Sequence, residues 1–253
     1  MGYESYEQPM ISAILYYYDK GNCTSLEFSE KIFFAFEKYG YKDITNIELG
    51  KHKLVDGILK DYVVRYSKKE LSMIDLKTEA FKWINDDGIT YISFVHKEKR
   101  SWMWDVTWYK NYKLPDNASV SDYTFNHLSI VSSYESLDVK DAQKKYVGLF
   151  CELADLFTAF YGRIEDVSTA VEVLERTKEK VFNPKYLQTV YWGNYFGKTF
   201  CLDVGQEKLK KSPFDMRILT NEGVFLAVTD DLFDSKNNYN FRQRKKLLKH
   251  LTK

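Results

Sequence analysis

Pairs of adjacent acids are the first residues in this chain that could do chemistry, and they occur at Asp86–Asp87, Glu165–Asp166 and Asp230–Asp231. Two carboxylates can act as general acid and general base, as in glycoside hydrolysis, when the fold holds them a few ångströms apart. Neighbouring residues on a strand point to opposite faces, however, and acids in turns are usually solvated. These pairs therefore do not by themselves predict a glycosidase-type site.

The histidines, cysteines and glycines lack the spacing of a metal or catalytic motif. No two of the four histidines lie three or four residues apart, so no zinc-binding pattern occurs. Cys151 and Cys201 each follow a phenylalanine in an apolar stretch, which predicts buried and unreactive thiols. Three residues separate Gly193 from Gly197, where a phosphate-binding loop needs four. The sequence thus predicts no catalytic residue, no cofactor and no metal, with a hydrolase built from scattered Asp, Glu and His as the alternative.

The charge of the chain is balanced overall, with 37 Lys and Arg against 36 Asp and Glu. A dedicated nucleic-acid-binding protein would have a strong basic excess, so this balance argues against one. One basic segment, 242–253, holds six Lys or Arg and no acid. We interpret it as a docked C-terminal helix with Leu247, Leu248 and Leu251 on its inner face, and keep a nucleic-acid-binding module as the alternative.

Acids predominate in two other segments, 151–175 and 222–234. A solvated surface has this composition, but so does an acidic surface that meets a basic protein partner, because complementary charge steers association. We take the acids of these segments as candidate partner-binding residues. They are Glu152, Asp155, Glu165, Asp166, Glu222, Asp230, Asp231 and Asp234.

Aromatic residues are abundant, with 20 Tyr, 17 Phe and 5 Trp. Trp102, Trp104 and Trp108 share one face of a strand predicted over 102–109. Such a face favours the wall of a hydrophobic core, with an exposed binding platform as the alternative.

Strands and helices that would position these residues follow from hydrophobic periodicity. In the first half we predict strands at 10–18, 43–49, 89–96, 102–109 and 126–133, and a helix from Thr24 or Ser25 that ends at Gly40. The segment 54–66 fits neither the alternation of a strand nor a single helical face, so its structure is ambiguous.

The strongest helical pattern runs over 139–161, capped by Ser136 or Asp138 and stopped at Gly162. Beyond it we predict helices at 168–181, at 205–211 and from 238, and strands at 188–196, 215–220 and 223–229. Strands and helices interleave without a steady βαβ rhythm, so the predicted fold class is α+β, a mixed and largely antiparallel sheet packed against helices. We predict a single domain over 1–253, with a subdivision into 1–111 and 123–253 around a linker at 112–122 as the alternative.

The compartment follows from what the sequence lacks. It has no stretch of about 18 consecutive apolar residues and no signal-peptide pattern near its start. Its three cysteines are odd in number and widely spaced, which fits a reducing environment. We therefore expect a cytoplasmic protein with no membrane partner.

The C-terminal third carries a resemblance. It lies in three segments, which are Tyr191-Trp192-Gly193-Asn194-Tyr195-Phe196-Gly197, Glu207-Lys208-Leu209 and Gly223-Val224-Phe225-Leu226-Ala227-Val228-Thr229. Together these segments resemble immunity-protein families of bacterial polymorphic and type VI secreted toxins. The chain differs from these families in having Asp230–Asp231 without a proline. The resemblance implies a cytoplasmic, non-enzymatic protein that binds and neutralises a cognate toxin. It also implies a structural role for the motif, in which Trp192 and Phe196 pack and the glycines shape the backbone.

Overall fold

The computed structural model describes most of the chain outside its longer connections. The described residues are 9–17, 26–41, 46–55, 58–67, 91–96, 102–107, 126–168, 187, 189–233 and 237–252. They form the strands β1 (Met10–Tyr17), β2 (Asn46–Val55), β3 (Ile58–Ser67), β4 (Tyr91–His96), β5 (Trp102–Thr107), β6 (Asn126–Ser133), β7 (Tyr161–Asp166), β8 (Gly193–Phe196), β9 (Asp215–Ile218) and β10 (Val224–Ala227). The helices are α1 (Leu26–Lys38), α2 (Lys140–Leu156), α3 (Lys198–Val204), α4 (Gln206–Lys210) and α5 (Asn238–Thr252).

All ten strands lie in one open sheet, in the order β3-β2-β4-β5-β6-β1-β7-β8-β10-β9. Each neighbouring pair is antiparallel. This architecture confirms the predicted α+β class. The sheet includes strands from both sides of 112–122, through the pairing of β5 with β6. The segment 112–122 itself lies outside the described residues, and the division into domains stays a prediction.

One face of the sheet packs against α2, with α1 beside it. Tyr146 of α2 donates from its hydroxyl to the backbone carbonyl of Ile130 in β6 (2.7 Å). The Phe150 ring packs against Phe225 of β10, with ring centroids 5.8 Å apart. A Cβ atom added to Gly162 would come within 2.8 Å of the Phe150 ring, so only glycine fits where β7 passes under α2.

Helices α1 and α2 end in the same backbone motif but with different residues. At the end of α1 the Tyr41 N–H donates to Phe36 O and the Gly40 N–H to Glu37 O, with Gly40 at a φ of 93°. This is the Schellman motif, and its left-handed residue is the glycine that the sequence predicts. At the end of α2 the Ala159 N–H donates to Ala154 O and the Thr158 N–H to Asp155 O. Thr158 holds the left-handed position here, with a φ of 47°.

The predicted helix 139–161 is therefore too long. It ends at Leu156, and 161–166 form strand β7. The helical spacing of apolar residues continues to Phe160 because the turn after α2 also packs on the core. The predicted caps are wrong as well, since Val139 is the N-cap of α2 and makes no side-chain cap hydrogen bond.

Other predictions differ from the structure at their boundaries. Within the described part of the predicted strand 188–196, only 193–196 form a strand, and helix α3 was not predicted. The ambiguous segment 54–66 largely forms the end of β2 and strand β3. The predicted helix 168–181 lies almost wholly outside the described residues, as do Trp108 and the side chains of Trp102 and Trp104.

Candidate functional site

Strand β7 carries three charged residues into the interior. Arg163, Glu165 and Asp166 are 3%, 1% and 1% exposed. Because residues alternate along a strand, Arg163 and Glu165 share the face opposite α2, and Asp166 lies on the α2 face. The adjacent carboxylates therefore lie on opposite sides of the sheet and cannot act together as an acid-base pair. They also do not form part of an acidic outer surface, contrary to what we expected of a partner-binding role.

The carboxylate of Glu165 has three partners. It forms an ion pair with Nη1 of Arg244 from α5. It also accepts hydrogen bonds from the backbone N–H groups of Asp166 (2.9 Å) and Trp192 (3.1 Å). Burial raises the pKa of Glu165 above its usual value of 4.5, and the nearby Arg244 guanidinium lowers it in part. Burial of this carboxylate costs solvation free energy, and Arg244 and the two backbone amides offset that cost.

Asp166 is held on the other face of the sheet. Its carboxylate accepts hydrogen bonds from the hydroxyl of Tyr134 (2.5 Å) and from the hydroxyl of Ser168. Tyr134 lies in the 3₁₀ helix Tyr134–Leu137, which directly follows β6. Asp166 therefore links β7 to the residues that follow β6, and its role is structural.

Arg244 fixes α5 on the sheet. Its Nε atom donates to Oδ1 of Asn240 (2.5 Å), one turn earlier in the helix. Its Nη2 atom is buried and has no hydrogen-bond partner among the described residues. Leu247 and Leu251 are buried on the same side of α5, and Leu248 packs partly against the core. These contacts confirm the docked C-terminal helix that the sequence predicts.

The end of α5 is also held, by α4. The ring of His250 donates from Nε2 to the backbone carbonyl of Lys208 (2.7 Å). The Nζ atom of Lys208 donates to the Leu251 carbonyl (3.1 Å). A cation at the carbonyl end of a helix is favourable because that end carries partial negative charge. Helix α5 is thus attached at its first turns through Arg244 and at its last turn through α4.

The aromatic motif of the resemblance has the structural role that we expected. Asn194 folds back on Tyr191, accepting from its N–H and donating to its carbonyl, both at 2.8 Å. The hydroxyl of Tyr191 accepts a hydrogen bond from Arg163 (2.8 Å), whose guanidinium also lies 4.8 Å from the Tyr191 ring centroid. A Cβ atom on Gly197 would lie 2.4 Å from the Ala159 carbonyl oxygen, so this turn requires glycine.

Three of the predicted partner-binding acids lie on α2 or in the β9–β10 turn. Asp155, near the end of α2, accepts hydrogen bonds from the backbone N–H groups of Thr220 (3.3 Å) and Asn221 (3.0 Å). Glu152 forms an ion pair with Lys38 of α1 (2.5 Å), and Glu222 forms one with Lys198 of α3 (2.7 Å). Each of these carboxylates is already neutralised or hydrogen bonded within the chain.

Asp230 and Asp231 follow the other end of β10. Asp230 is exposed. The side chain of Asp231 accepts a hydrogen bond from the Phe233 N–H (2.9 Å). Asp234 lies outside the described residues. Of the seven predicted acids that the structure describes, Glu165 and Asp166 are therefore buried, Glu152, Asp155 and Glu222 have partners within the chain, and Asp230 and Asp231 follow the end of β10.

The two described cysteines are buried. Burial raises the pKa of Cys151 to about 12 and that of Cys201 to about 11. Burial thus favours the protonated thiol, and the prediction that both cysteines are buried is confirmed. Among the described residues, no three His, Cys, Asp or Glu are grouped so that they could hold a metal ion.

The outer surface of α5 is the other charged feature of this region. Arg242, Lys245, Lys246 and Lys249 are exposed there. Tyr239 and Phe241, in the first turn, are 57% and 45% exposed. These cations lie close together in the sequence. Their exposure follows from the structure, because Arg244, Leu247 and Leu251 dock the opposite side of α5 on the rest of the protein.

Comparison with known proteins finds one informative similarity. No protein-family model matches the sequence, and no curated protein matches it significantly. Among solved structures, the chain is similar to the Pseudomonas aeruginosa T6SS protein PA0821, with a TM-score of 0.54 and 11% sequence identity. The alignment covers 96% of this chain and 73% of that one. At this identity the similarity shows the fold alone. Among the described helices, none has the length and apolar composition of a membrane span.

Proposed function

We propose that this protein works with a type VI secretion system, in the cytoplasm, as an immunity protein that binds and neutralises a cognate toxin. The observation that carries the proposal is the fold shared with a T6SS protein over 96% of the chain. The resemblance of Tyr191 to Gly197 and of the following strand pair to immunity-protein families points the same way.

A binding role makes specific demands on the surface. A stable protein–protein interface buries at least about 1,000 Å² in total, and its core favours aromatic residues and arginine. The described chain exposes such groups on a rigidly attached element, α5, where Tyr239, Phe241 and Arg242 lie in the first turns. This arrangement supports recognition of another macromolecule.

The proposal is tested with the product of the secreted-protein gene adjacent to this one. That product is expressed in a bacterial host with and without the full chain, and an unrelated T6SS toxin serves as the specificity control. We expect the full chain to restore growth against the adjacent toxin alone, and the two purified proteins to elute together in size-exclusion chromatography. Failure of both rescue and co-elution, or absence of any adjacent toxin gene, would overturn the proposal.

A further inference from the structure

The outward side of α5 is rich in cations. At about 100° per residue, Arg242, Lys245, Lys246 and Lys249 fall within an arc of about 100° on the helix. The buried residues lie on the opposite side of the helix; they are Asn240, Arg244, Leu247 and Leu251. We call the four outward cations the basic face of α5. The helix contains no Asp or Glu, so nothing within it balances this charge.

The cations of the basic face also have no acidic partner elsewhere in the part of the chain that the structure describes. No carboxylate there lies within 4.0 Å of any of the four. Lysines on other helices behave differently, since Lys31 pairs with Glu27, Lys145 with Asp141 and Lys210 with Glu207. Like charges three and four residues apart repel one another, so this arrangement disfavours the helix. None of the four cations is neutralised by an ion pair within the described part of the chain.

Two exposed aromatic residues lie at the start of the same helix. Tyr239 and Phe241 flank the arc of the basic face on its two sides, at the N-terminal end. Exposed aromatic residues beside cations are typical of protein interfaces, where rings and guanidinium groups provide much of the binding energy. The face is also preorganised, because Arg244, His250 and Lys208 hold α5 in place. Binding to it does not require the helix to become ordered.

We propose that the basic face of α5, together with Tyr239 and Phe241, is the docking surface for an acidic surface on the partner toxin; this inference rests on the proposed function. It also reverses the direction of charge complementarity that the sequence suggests, because five of the predicted acids are buried or have partners within the chain; they are Glu152, Asp155, Glu165, Asp166 and Glu222. The positive side of the interface is on this chain, and the negative side is on the toxin.

The extent of the charge favours a protein partner over a nucleic acid. Helix α5 is about 22 Å long. It holds five of the 37 Lys and Arg of the chain and none of its 36 Asp and Glu, so the rest of the chain has an excess of four acids. The acidic balance of the rest of the chain disfavours an extended polyanion, whereas an acidic patch on a protein can match the basic face alone.

The test compares two variants with the same change in net charge. The first replaces the basic face (Arg242→Gln, Lys245→Gln, Lys246→Gln and Lys249→Gln). The matched control replaces four exposed lysines elsewhere (Lys140→Gln, Lys144→Gln, Lys145→Gln and Lys211→Gln). Affinity for the adjacent-gene toxin and for a 20-base-pair DNA duplex is measured by titration calorimetry at several salt concentrations. Circular dichroism checks that each variant is folded, and Lys245→Gln/Lys249→Gln replaces the first variant if that one does not fold.

We expect the basic-face variant to bind the toxin about 100-fold more weakly than the wild type, with a shallower dependence on salt, and the control to stay within about 3-fold. The double variant should lose about 10-fold. Tyr239→Ser should weaken binding without changing the salt dependence.

Three other outcomes are distinguishable. Equal toxin binding by the basic-face variant and the control would overturn the docking surface and leave the proposed function standing. Loss of duplex binding in the basic-face variant, with toxin binding unchanged, would show that the face serves nucleic acid and would also overturn the inference. Absence of toxin binding by the wild type would overturn the proposed function, and the docking surface with it.

Discussion

Two ion pairs in this protein have the same chemistry and opposite surroundings. Glu165 and Arg244 form one between β7 and α5, with side chains 1% and 8% exposed. Glu222 and Lys198 form the other between the β9–β10 turn and α3, with side chains 55% and 53% exposed. Water solvates Glu222 and Lys198 whether or not they contact each other. Glu165 and Arg244 have lost their hydration, and each depends on the other to compensate that loss.

The comparison explains why acids that look equivalent in the sequence have different roles. A buried carboxylate in this fold holds an element in place, and removal of its partner leaves a charge without solvent. An exposed carboxylate contributes little to stability and is available to respond to salt or to a partner. The predictions below test this distinction by changing one partner at a time.

The largest effect is expected for Arg244→Met, which keeps much of the buried side-chain volume and removes the charge. Glu165 would then be a buried carboxylate with only two backbone donors. We expect the free energy of unfolding at pH 8, measured by urea denaturation, to fall by about 3–5 kcal/mol. Glu165→Gln/Arg244→Met should recover most of this loss, because neither buried charge remains. A loss below about 1 kcal/mol for Arg244→Met would show that the two pairs do not differ.

The same variant should depend on pH. Burial raises the folded-state pKa of Glu165 above its usual value of 4.5, and removal of Arg244 raises it further. Such a carboxyl favours folding while it is protonated, and this contribution is lost as pH rises above 4.5 through the folded pKa. The destabilisation by Arg244→Met should therefore be smaller at pH 5 than at pH 8, as measured by parallel urea titrations. A constant difference between wild type and variant across that range would contradict the assignment to Glu165.

An intermediate effect is expected at the β9–β10 turn for Asp155→Asn. The substitution weakens two hydrogen bonds to the backbone N–H groups of Thr220 and Asn221 by removing the charge that accepts them. We expect a loss of about 1–2 kcal/mol in the free energy of unfolding. Amide hydrogen exchange at Thr220 and Asn221 should accelerate, while exchange in β1 follows only the global change. Unchanged exchange at both amides would show that Asp155 does not hold the turn.

The smallest effect is expected for Lys198→Met, the surface counterpart of Arg244→Met. Because both members of this pair are about half exposed, we expect a change within about 1 kcal/mol. The change should shrink further in 1 M salt, where screening is strong. A loss comparable with that of Arg244→Met would remove the distinction between buried and exposed pairs.

Most of the fold could be predicted from periodicity, because the spacing of apolar residues is clear in strands such as β6 and in helices such as α5. The end of α1 was predicted for the same reason, since Gly40 is the residue that a left-handed position favours. The end of α2 was not, because Thr158 takes that position and no glycine marks it. Because no glycine marks the end of α2, the sequence pattern did not reveal where β7 begins.

The roles of the acids could not be predicted, because they depend on that hidden strand. Once β7 is placed beside β1, Glu165 and Asp166 pair with Ser12 and Ile11 of that strand and become interior residues. Alternation then assigns them to opposite faces, but only the tertiary structure supplies Arg244 as the partner of Glu165. The sequence did predict docking of α5 through its leucines, and the position of the basic face follows from that.

The position of β1 has a consequence for how the chain folds. Residues 10–17 lie between β6 and β7, which are more than a hundred residues away in the sequence. Strand β1 therefore cannot acquire either neighbour until synthesis has passed residue 126, and it lacks the second until residue 166. Contacts of this sequence separation slow folding and leave apolar strand surface unpaired meanwhile. For an apolar strand such as β1, this interval is when aggregation competes with folding, and slower synthesis or chaperones that shield nascent chains should raise the yield of native protein.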